Sequence, residues 1–307
     1  MRINRFLTAA ALATVLSSPA FAAEPMKVVA SFSILGDLAA EVGGDHVTVT
    51  TLVGPDGDAH TFEPSPTNAK ALSEAKVLVE NGLGLENWME RLVSASGFKG
   101  EAIVASRGVK PREWQGDAEE AAELSHDDHG HALDPHAWQD PKNGVLYVKN
   151  IVAGFAAADP ANKADYEANG KKLEDELVAI DQNLKAAFAK VPASHRRIVT
   201  SHDAFGYLGA AYDIQFIAPE GISTEADVSA ADVAKIVRQI KDEKIQAMFV
   251  ENISDPRLVE QISRETGVKV GGELFSDALS PPDGPAPTYI KMFKNNEAQL
   301  LSAIGGS

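Results

Sequence analysis

The residues best suited to chemistry in this chain are histidines and carboxylates in loops punctuated by glycine and proline. His136 stands in Asp134-Pro-His-Ala-Trp138. Imidazole binds zinc through one neutral ring nitrogen and needs its other nitrogen held by an acceptor, which a rigid Pro-His unit favours. A histidine beside a tryptophan can equally be a packed, hydrogen-bonded residue. The stretch alone therefore leaves metal binding and simple packing open.

Three further candidate ligands follow short β-branched runs that predict strands. In chain order, these are His60 after the run Val47–Val53, His202 after Arg197–Ser201, and Asp277 after the run near Val268–Phe275. Ligands of α/β proteins bind beyond the carboxyl ends of parallel strands. Their positions therefore favour a binding site, with His60 and His136 in the first half of the chain and His202 and Asp277 in the second.

An internal repeat relates the two halves at an offset of about 170 residues. The matching segments are Val28–Gly36 with Ile198–Gly206, Val77–Asn81 with Met248–Asn252, and Ser96–Lys99 with Thr266–Lys269. Each half presents short β-branched runs followed by helical patterns, which predicts two similar α/β lobes, each with a mostly parallel sheet and flanking helices. His202 and Asp277 correspond to Phe32 and Arg107, as expected for one site shared between the lobes.

A long amphipathic helix is predicted between the lobes, over residues 159–192. Asp159-Pro160 suits its start and Val191-Pro192 its end. Apolar residues recur every three or four positions between them: Leu173, Leu177, Ile180, Leu184, Phe188 and Val191. The predicted division is a first lobe over 23–158, this backbone helix over 159–192 and a second lobe over 193–307. Because a helix is stiff, the hinge motion between the lobes should be small.

The first 22 residues predict a secretory signal, with Arg2 and Arg5 before an apolar core and Ala20-Phe-Ala22 as the cleavage site. The chain has no cysteine, hence no disulfide, no thiolate ligand and no lipid-accepting cysteine. We therefore expect a soluble periplasmic protein that is not lipid-anchored. The net charge of −16 disfavours nucleic-acid binding.

An acidic, mostly polar stretch over residues 115–133 carries three of the remaining histidines. Its centre contains His126, Asp127, Asp128, His129 and His131. One interpretation is a weak secondary metal-capture loop, and the other is a solvated linker with incidental histidines. His46 and His195, in turns elsewhere, are expected to be ordinary surface histidines.

Taken together, four separated motifs resemble the cluster A-I zinc/manganese receptors of ABC importers across nearly the whole mature chain. They are Gly57-Asp-Ala-His-Thr-Phe-Glu-Pro64, Asp134-Pro-His-Ala-Trp138, Thr200-Ser-His-Asp-Ala-Phe-Gly-Tyr207 and Ser276-Asp-Ala-Leu-Ser-Pro-Pro-Asp-Gly284. One departure is Ala59, where many members have proline. The resemblance implies a clamp of two α/β lobes with His60, His136, His202 and Asp277 as metal ligands in the cleft.

This resemblance also implies the cargo and the partners. Three histidines and an aspartate resemble the zinc receptors of the family, whereas manganese members typically carry a carboxylate at the position of His202. The expected function is capture of one tightly bound Zn²⁺ and its delivery to a membrane permease driven by a cytoplasmic ATPase. The protein is expected to be a monomer, with a periplasmic zinc chaperone as a candidate donor. A manganese receptor of the same family is the main alternative.

A zinc-dependent hydrolase is the alternative from a different functional class. A catalytic zinc usually keeps three protein ligands and one open position for water. Four protein ligands would close that position, and the sequence has no His-Glu-x-x-His motif. We therefore expect a binding protein and not an enzyme.

Overall fold

Two all-parallel sheets organise the part of the chain that the structure describes. The structure is a computed structural model that describes residues 24–114, 133–221, 223–224 and 228–305. The predicted signal and residues 115–132 of the acidic stretch, including His126, Asp127, Asp128, His129 and His131, lie outside the described residues. In the described ranges, each sheet has four strands and forms the centre of one α/β lobe. The predicted fold class is confirmed.

The first lobe has the strand order β2-β1-β3-β4. Its elements are β1 (Met26–Phe32), α1 (Ser33–Gly43), β2 (Val47–Val53), α2 (Pro66–Glu74), β3 (Val77–Glu80), α3 (Met89–Ser96), β4 (Glu101–Val104) and α4 (Pro141–Ala158). The central strands β1 and β3 are almost entirely buried, as strands covered by helices on both faces must be. The edge strand β2 has the bounds predicted from its β-branched run.

The second lobe repeats this topology with the order β6-β5-β7-β8. Its elements are β5 (Arg197–Val199), α6 (Gly206–Tyr212), β6 (Gln215–Ile217), α7 (Ala230–Glu243), β7 (Ala247–Glu251), α8 (Arg257–Thr266), β8 (Val270–Leu274) and α9 (Tyr289–Ile304). β5 ends before the predicted Ser201 because the N–H groups of Ser201 and His202 donate to the Glu251 side chain and not to a neighbouring strand.

One helix of 26 residues, α5 (Lys163–Phe188), connects the lobes. It follows a short 3₁₀ turn at Pro160–Asn162, so the α-helix is shorter than the predicted 159–192. α5 packs against α1 and α4 of the first lobe and against α6 and α9 of the second. None of the helices in the described ranges is long and apolar enough to cross a membrane. The division of the chain at residues 158 and 192 stays a prediction.

The lobes are joined by apolar packing and by hydrogen bonds near the cleft. A single core cluster contains buried residues of both sheets. A smaller cluster lies between the second sheet and the helices α7 and α8. Nε1 of Trp138 and Nε2 of Gln139 in the first lobe both donate to the carbonyl of Ser276 in the second, at 2.9 and 2.6 Å. The Tyr289 hydroxyl donates to the Trp138 carbonyl in the opposite direction. These contacts fix the two cleft walls against each other.

Candidate metal centre

Four buried side chains converge in the cleft between the lobes: His60, His136, His202 and Asp277. One donor atom of each lies within 4.8 Å of the donors of the other three. Oδ2 of Asp277 is 3.0 Å from Nε2 of His60, 3.6 Å from Nε2 of His136 and 3.3 Å from Nε2 of His202. His60, His202 and Asp277 lie in the loops that follow β2, β5 and β8, and His136 lies just before α4, so elements of both lobes bring the four to one place.

These spacings match what a small divalent cation requires. A tetrahedral zinc at about 2.0–2.1 Å from its ligands holds neighbouring donor atoms about 3.3–3.4 Å apart. The Nε2 atoms of His60 and His136 are 3.2 Å apart. Two donors, Nε2 of His202 and Oδ1 of Asp277, are buried without a hydrogen-bond partner. Buried polar atoms are normally paired, so this arrangement fits a bound cation.

His60 is held by a tight turn in the loop between β2 and α2. Its backbone N–H donates to Oδ1 of Asp58 at 2.8 Å. Nε1 of Trp88 donates to the carbonyl of Ala59 at 2.9 Å, which anchors the loop to the core. Oδ2 of Asp58 accepts from the Thr224 hydroxyl of the second lobe at 2.5 Å. The loop is therefore fixed from both sides although it has no regular secondary structure.

His136 is held by the carboxylate two residues before it. Oδ1 of Asp134 accepts from the backbone N–H of His136 and lies near its ring Nδ1, both at 2.9 Å. Nδ2 of Asn81, at the end of β3, donates to the carbonyl of Pro135 at 3.0 Å. Because the carboxylate accepts from Nδ1, that nitrogen keeps its proton, and Nε2 is the nitrogen that would bind a metal.

His202 and Asp277 are positioned by residues of both lobes. Oε2 of Glu251 is 2.6 Å from Nδ1 of His202. The Ser276 carbonyl, next to Asp277, is the acceptor for Trp138 and Gln139. Phe32, the repeat counterpart of His202, packs against Trp138 at a ring-centroid distance of 5.0 Å. One repeat copy thus contributes a donor where the other contributes packing.

The electrostatics of the site reflect the close approach of these groups. Burial alone would lower the pKa of His136, but the carboxylates of Asp277 and Asp134 outweigh it and raise that pKa to about 9. Glu251 and Asp277 likewise outweigh burial and raise the pKa of His202 well above its usual value. The same histidines hold the pKa of Asp277 well below its usual value against the effect of burial. A cation that enters must therefore displace protons.

Two histidines of the described ranges lie outside this cluster and occupy other environments. His46 pairs with Asp165 of α5 at 2.8 Å, and His195 contacts the carbonyl of Ile304 at 3.3 Å. Sequence reasoning missed Glu251 as a partner of His202. Its only signal was the repeat, which places Glu251 at the end of a strand but does not show that this strand lies beside the one that precedes His202.

A family profile decides which group of proteins this architecture represents. The profile described as "ZnuA: Zinc-uptake complex component A periplasmic" matches residues 28–303, which include both lobes and all four cleft residues. The chain belongs to this family. The predicted resemblance to the cluster A-I receptors is therefore confirmed.

Relatives of the ZnuA-family chain carry names with different metals. It is 29% identical to the "Iron-binding protein YfeA" of Yersinia pestis, over 99% of both chains. It is 30% identical to the "Manganese ABC transporter substrate-binding lipoprotein PsaA" of Streptococcus mitis, over 92% of this chain and 90% of the relative. The solved structure of the periplasmic zinc-binding protein TroA of Treponema pallidum has a TM-score of 0.83 at 25% identity, over 91% of this chain and 99% of TroA.

These names describe binding proteins, which confirms the expectation of a binding protein over a hydrolase. They also correct one expectation. PsaA and other relatives are named lipoproteins, so the expectation that the protein is not lipid-anchored is wrong as an inference for this family. That expectation depended on the absence of cysteine alone. A location outside the cytoplasm agrees with the family description.

Proposed function

We propose that this protein captures zinc between its lobes and delivers it to an ABC importer formed by a membrane permease and a cytoplasmic ATPase. The observation that supports this most directly is the convergence of three imidazoles and one carboxylate within 4.8 Å. All four side chains are buried, and His60, at 6% exposed, is the one nearest to solvent. Zinc would enter past His60 and then bind His136, His202 and Asp277.

The donor set favours zinc over manganese. Imidazole suits zinc, whereas manganese prefers oxygen ligands and binds nitrogen sites most weakly in the divalent series. Spacings of 3.0–3.6 Å around Oδ2 of Asp277 agree with four-coordinate zinc. A manganese receptor is the second candidate because relatives such as PsaA are named for manganese. The names of the relatives do not choose between the metals, so the choice depends on the ligands.

Competitive titration of the purified protein against a chelator of known strength tests the proposal. We expect one tight zinc per chain and a manganese affinity lower by orders of magnitude. Equal affinities would reject zinc as the cargo but would leave the site intact. We also propose a monomer, so the molecular mass of the protein in solution should be that of one chain and should not change with protein concentration.

Substitution of a proposed ligand tests the site independently of the cargo. Structural zinc sites with four ligands have binding free energies of about 10–16 kcal/mol, so His136→Ala should weaken zinc binding by at least about 100-fold. His46→Ala is the matched control because His46 pairs with Asp165 outside the cleft, and its affinity should be unchanged. Unchanged affinity in His136→Ala would remove His136 from the ligand set.

The stretch over residues 115–133 is proposed to act in loading and not in tight binding. Its acidic residues and His126, His129 and His131 would collect zinc from dilute solution or from a periplasmic chaperone and pass it to the cleft. This role predicts an effect on the rate of loading, with no change in the number of tight sites.

A further inference from the structure

Glu251 is a buried carboxylate that belongs to neither the apolar core nor the proposed ligand set. It ends β7 and is 2% exposed. Oε1 of Glu251 accepts hydrogen bonds from the backbone N–H groups of Ser201 and His202, at 2.8 and 2.9 Å. Oε2 lies 2.6 Å from Nδ1 of His202, although the ring N–H does not point straight at it. Two backbone N–H groups donate to this carboxylate, and the imidazole of His202 lies against its other oxygen.

This arrangement determines which ring nitrogen of His202 faces the cleft. A carboxylate only accepts hydrogen bonds, so the ring nitrogen that faces it carries the proton. Nδ1 then keeps its N–H against Glu251, and Nε2, 3.3 Å from Oδ2 of Asp277, is the nitrogen that gives up its proton and offers its lone pair when a metal binds. His136 is held in the same way, since Asp134 contacts both its backbone N–H and its Nδ1. The difference is that Glu251 reaches His202 from an adjacent strand, 49 residues away.

We propose that Glu251 is a positioning residue that fixes the tautomer and the orientation of His202 for metal binding, without being a ligand itself. This inference depends on the proposed function because it assumes a metal bound by His202. It does not depend on which metal is bound.

Glu251→Gln tests the role with almost no change in volume. A glutamine has one oxygen and one NH₂ group, so it cannot accept from all three N–H groups. Either the NH₂ faces a backbone N–H, or it faces Nδ1 and stabilises the tautomer with the proton on Nε2. Partners of this type typically contribute 10- to 100-fold to metal affinity, so zinc affinity should fall by about that factor.

The chain offers a matched control variant, Glu80→Gln, and a second variant, His202→Ala, in which the effect of Glu251→Gln on zinc affinity can be tested without His202. Glu80→Gln alters the repeat counterpart, which ends β3 of the first lobe, and should leave zinc affinity unchanged. A positioning effect acts through His202, so Glu251→Gln should cause no further loss in a His202→Ala background. A general structural effect would instead reduce affinity in both backgrounds. Thermal melts of the metal-free proteins show whether each variant is folded.

The outcomes separate this inference from the proposed function. A loss below about threefold in Glu251→Gln, an equal loss in Glu80→Gln, or the same loss in the His202→Ala background would each overturn the role of Glu251. If the unmodified protein prefers manganese, the zinc proposal fails and the same comparison is made with manganese. If Glu251→Gln does not fold, the ring ¹⁵N signals of the unmodified metal-loaded protein decide. Metal on Nε2 with an exchange-protected Nδ1–H supports the inference, and metal on Nδ1 overturns it.

Discussion

Raising the pH should destabilise the metal-free protein while strengthening its metal binding. The pKa of His136 is about 9 in the folded protein, against 6.5 as the ordinary value. A raised pKa means that folding favours the protonated ring. The stabilisation is complete below about pH 6.5 and is lost as the pH rises through about 9.

The magnitude follows from the gap between the two pKa values. At about 1.4 kcal/mol per pKa unit, His136 contributes about 3 kcal/mol to the free energy of unfolding at low pH. Between pH 7.5 and 9.5, about 2 kcal/mol of this should disappear. This window avoids most of the titration of Asp37 and Glu86, whose pKa values burial raises to about 7. The raised pKa of His202 adds to the loss in the same direction.

Metal affinity should have the opposite slope, because the cation binds only the deprotonated ring. Each displaced proton adds about tenfold in affinity per pH unit until the pKa is passed. Urea denaturation with chelator and competition titration in the same buffers measure the two slopes. Asp134→Asn is the control, because it removes one carboxylate that raises the pKa of His136, and both slopes should become shallower. A metal-free stability that rises from pH 7.5 to 9.5, or an affinity that does not change, would refute the reasoning.

Two further predictions concern the link between the lobes and the acidic stretch. Trp138→Phe removes one of the two donors to the Ser276 carbonyl, while Gln139 still donates. The free energy of unfolding, measured by urea denaturation, should therefore fall by about 1 kcal/mol. A change near zero would mean that the hydrogen bond from Trp138 contributes nothing to stability. Deleting residues 116–130 should keep one tight zinc site but slow the loading measured by tryptophan fluorescence, with a smaller effect at high salt. Loss of the tight site would place a histidine of that segment among the ligands.

Local patterns in the sequence were sufficient to predict the elements that carry the ligands. β2 has the predicted bounds, Val47–Val53, because its β-branched run ends at Gly54-Pro55. The repeat predicted two similar lobes, and Val28 and Ile198, which it pairs, lie in the equivalent strands β1 and β5. His60, His202 and Asp277 were found because each stands in a loop motif after a predicted strand, and His136 because of the motif Asp134-Pro-His-Ala-Trp138.

Contacts between distant segments could not be predicted in the same way. Glu251 approaches His202 only because β7 lies beside β5, and strand order is not a local property of sequence. The helix α4 was not identified separately, although Asp140 caps its start and Pro141 occupies its first turn. The apolar residues of its buried face, which include Tyr147, Ile151 and Phe155, did not distinguish this helix from the other helical patterns of the first lobe.

The hydrogen bonds between the two cleft walls have a consequence for how a transporter would distinguish a metal-loaded receptor from an empty one. Trp138, Gln139 and Tyr289 join the cleft walls through groups that are not metal donors. These bonds require no cation, so loading should change the outline of the molecule little. A permease would then gain little information from shape. It would have to sense the charge in the cleft or the stiffness of the loops that carry His60 and His202.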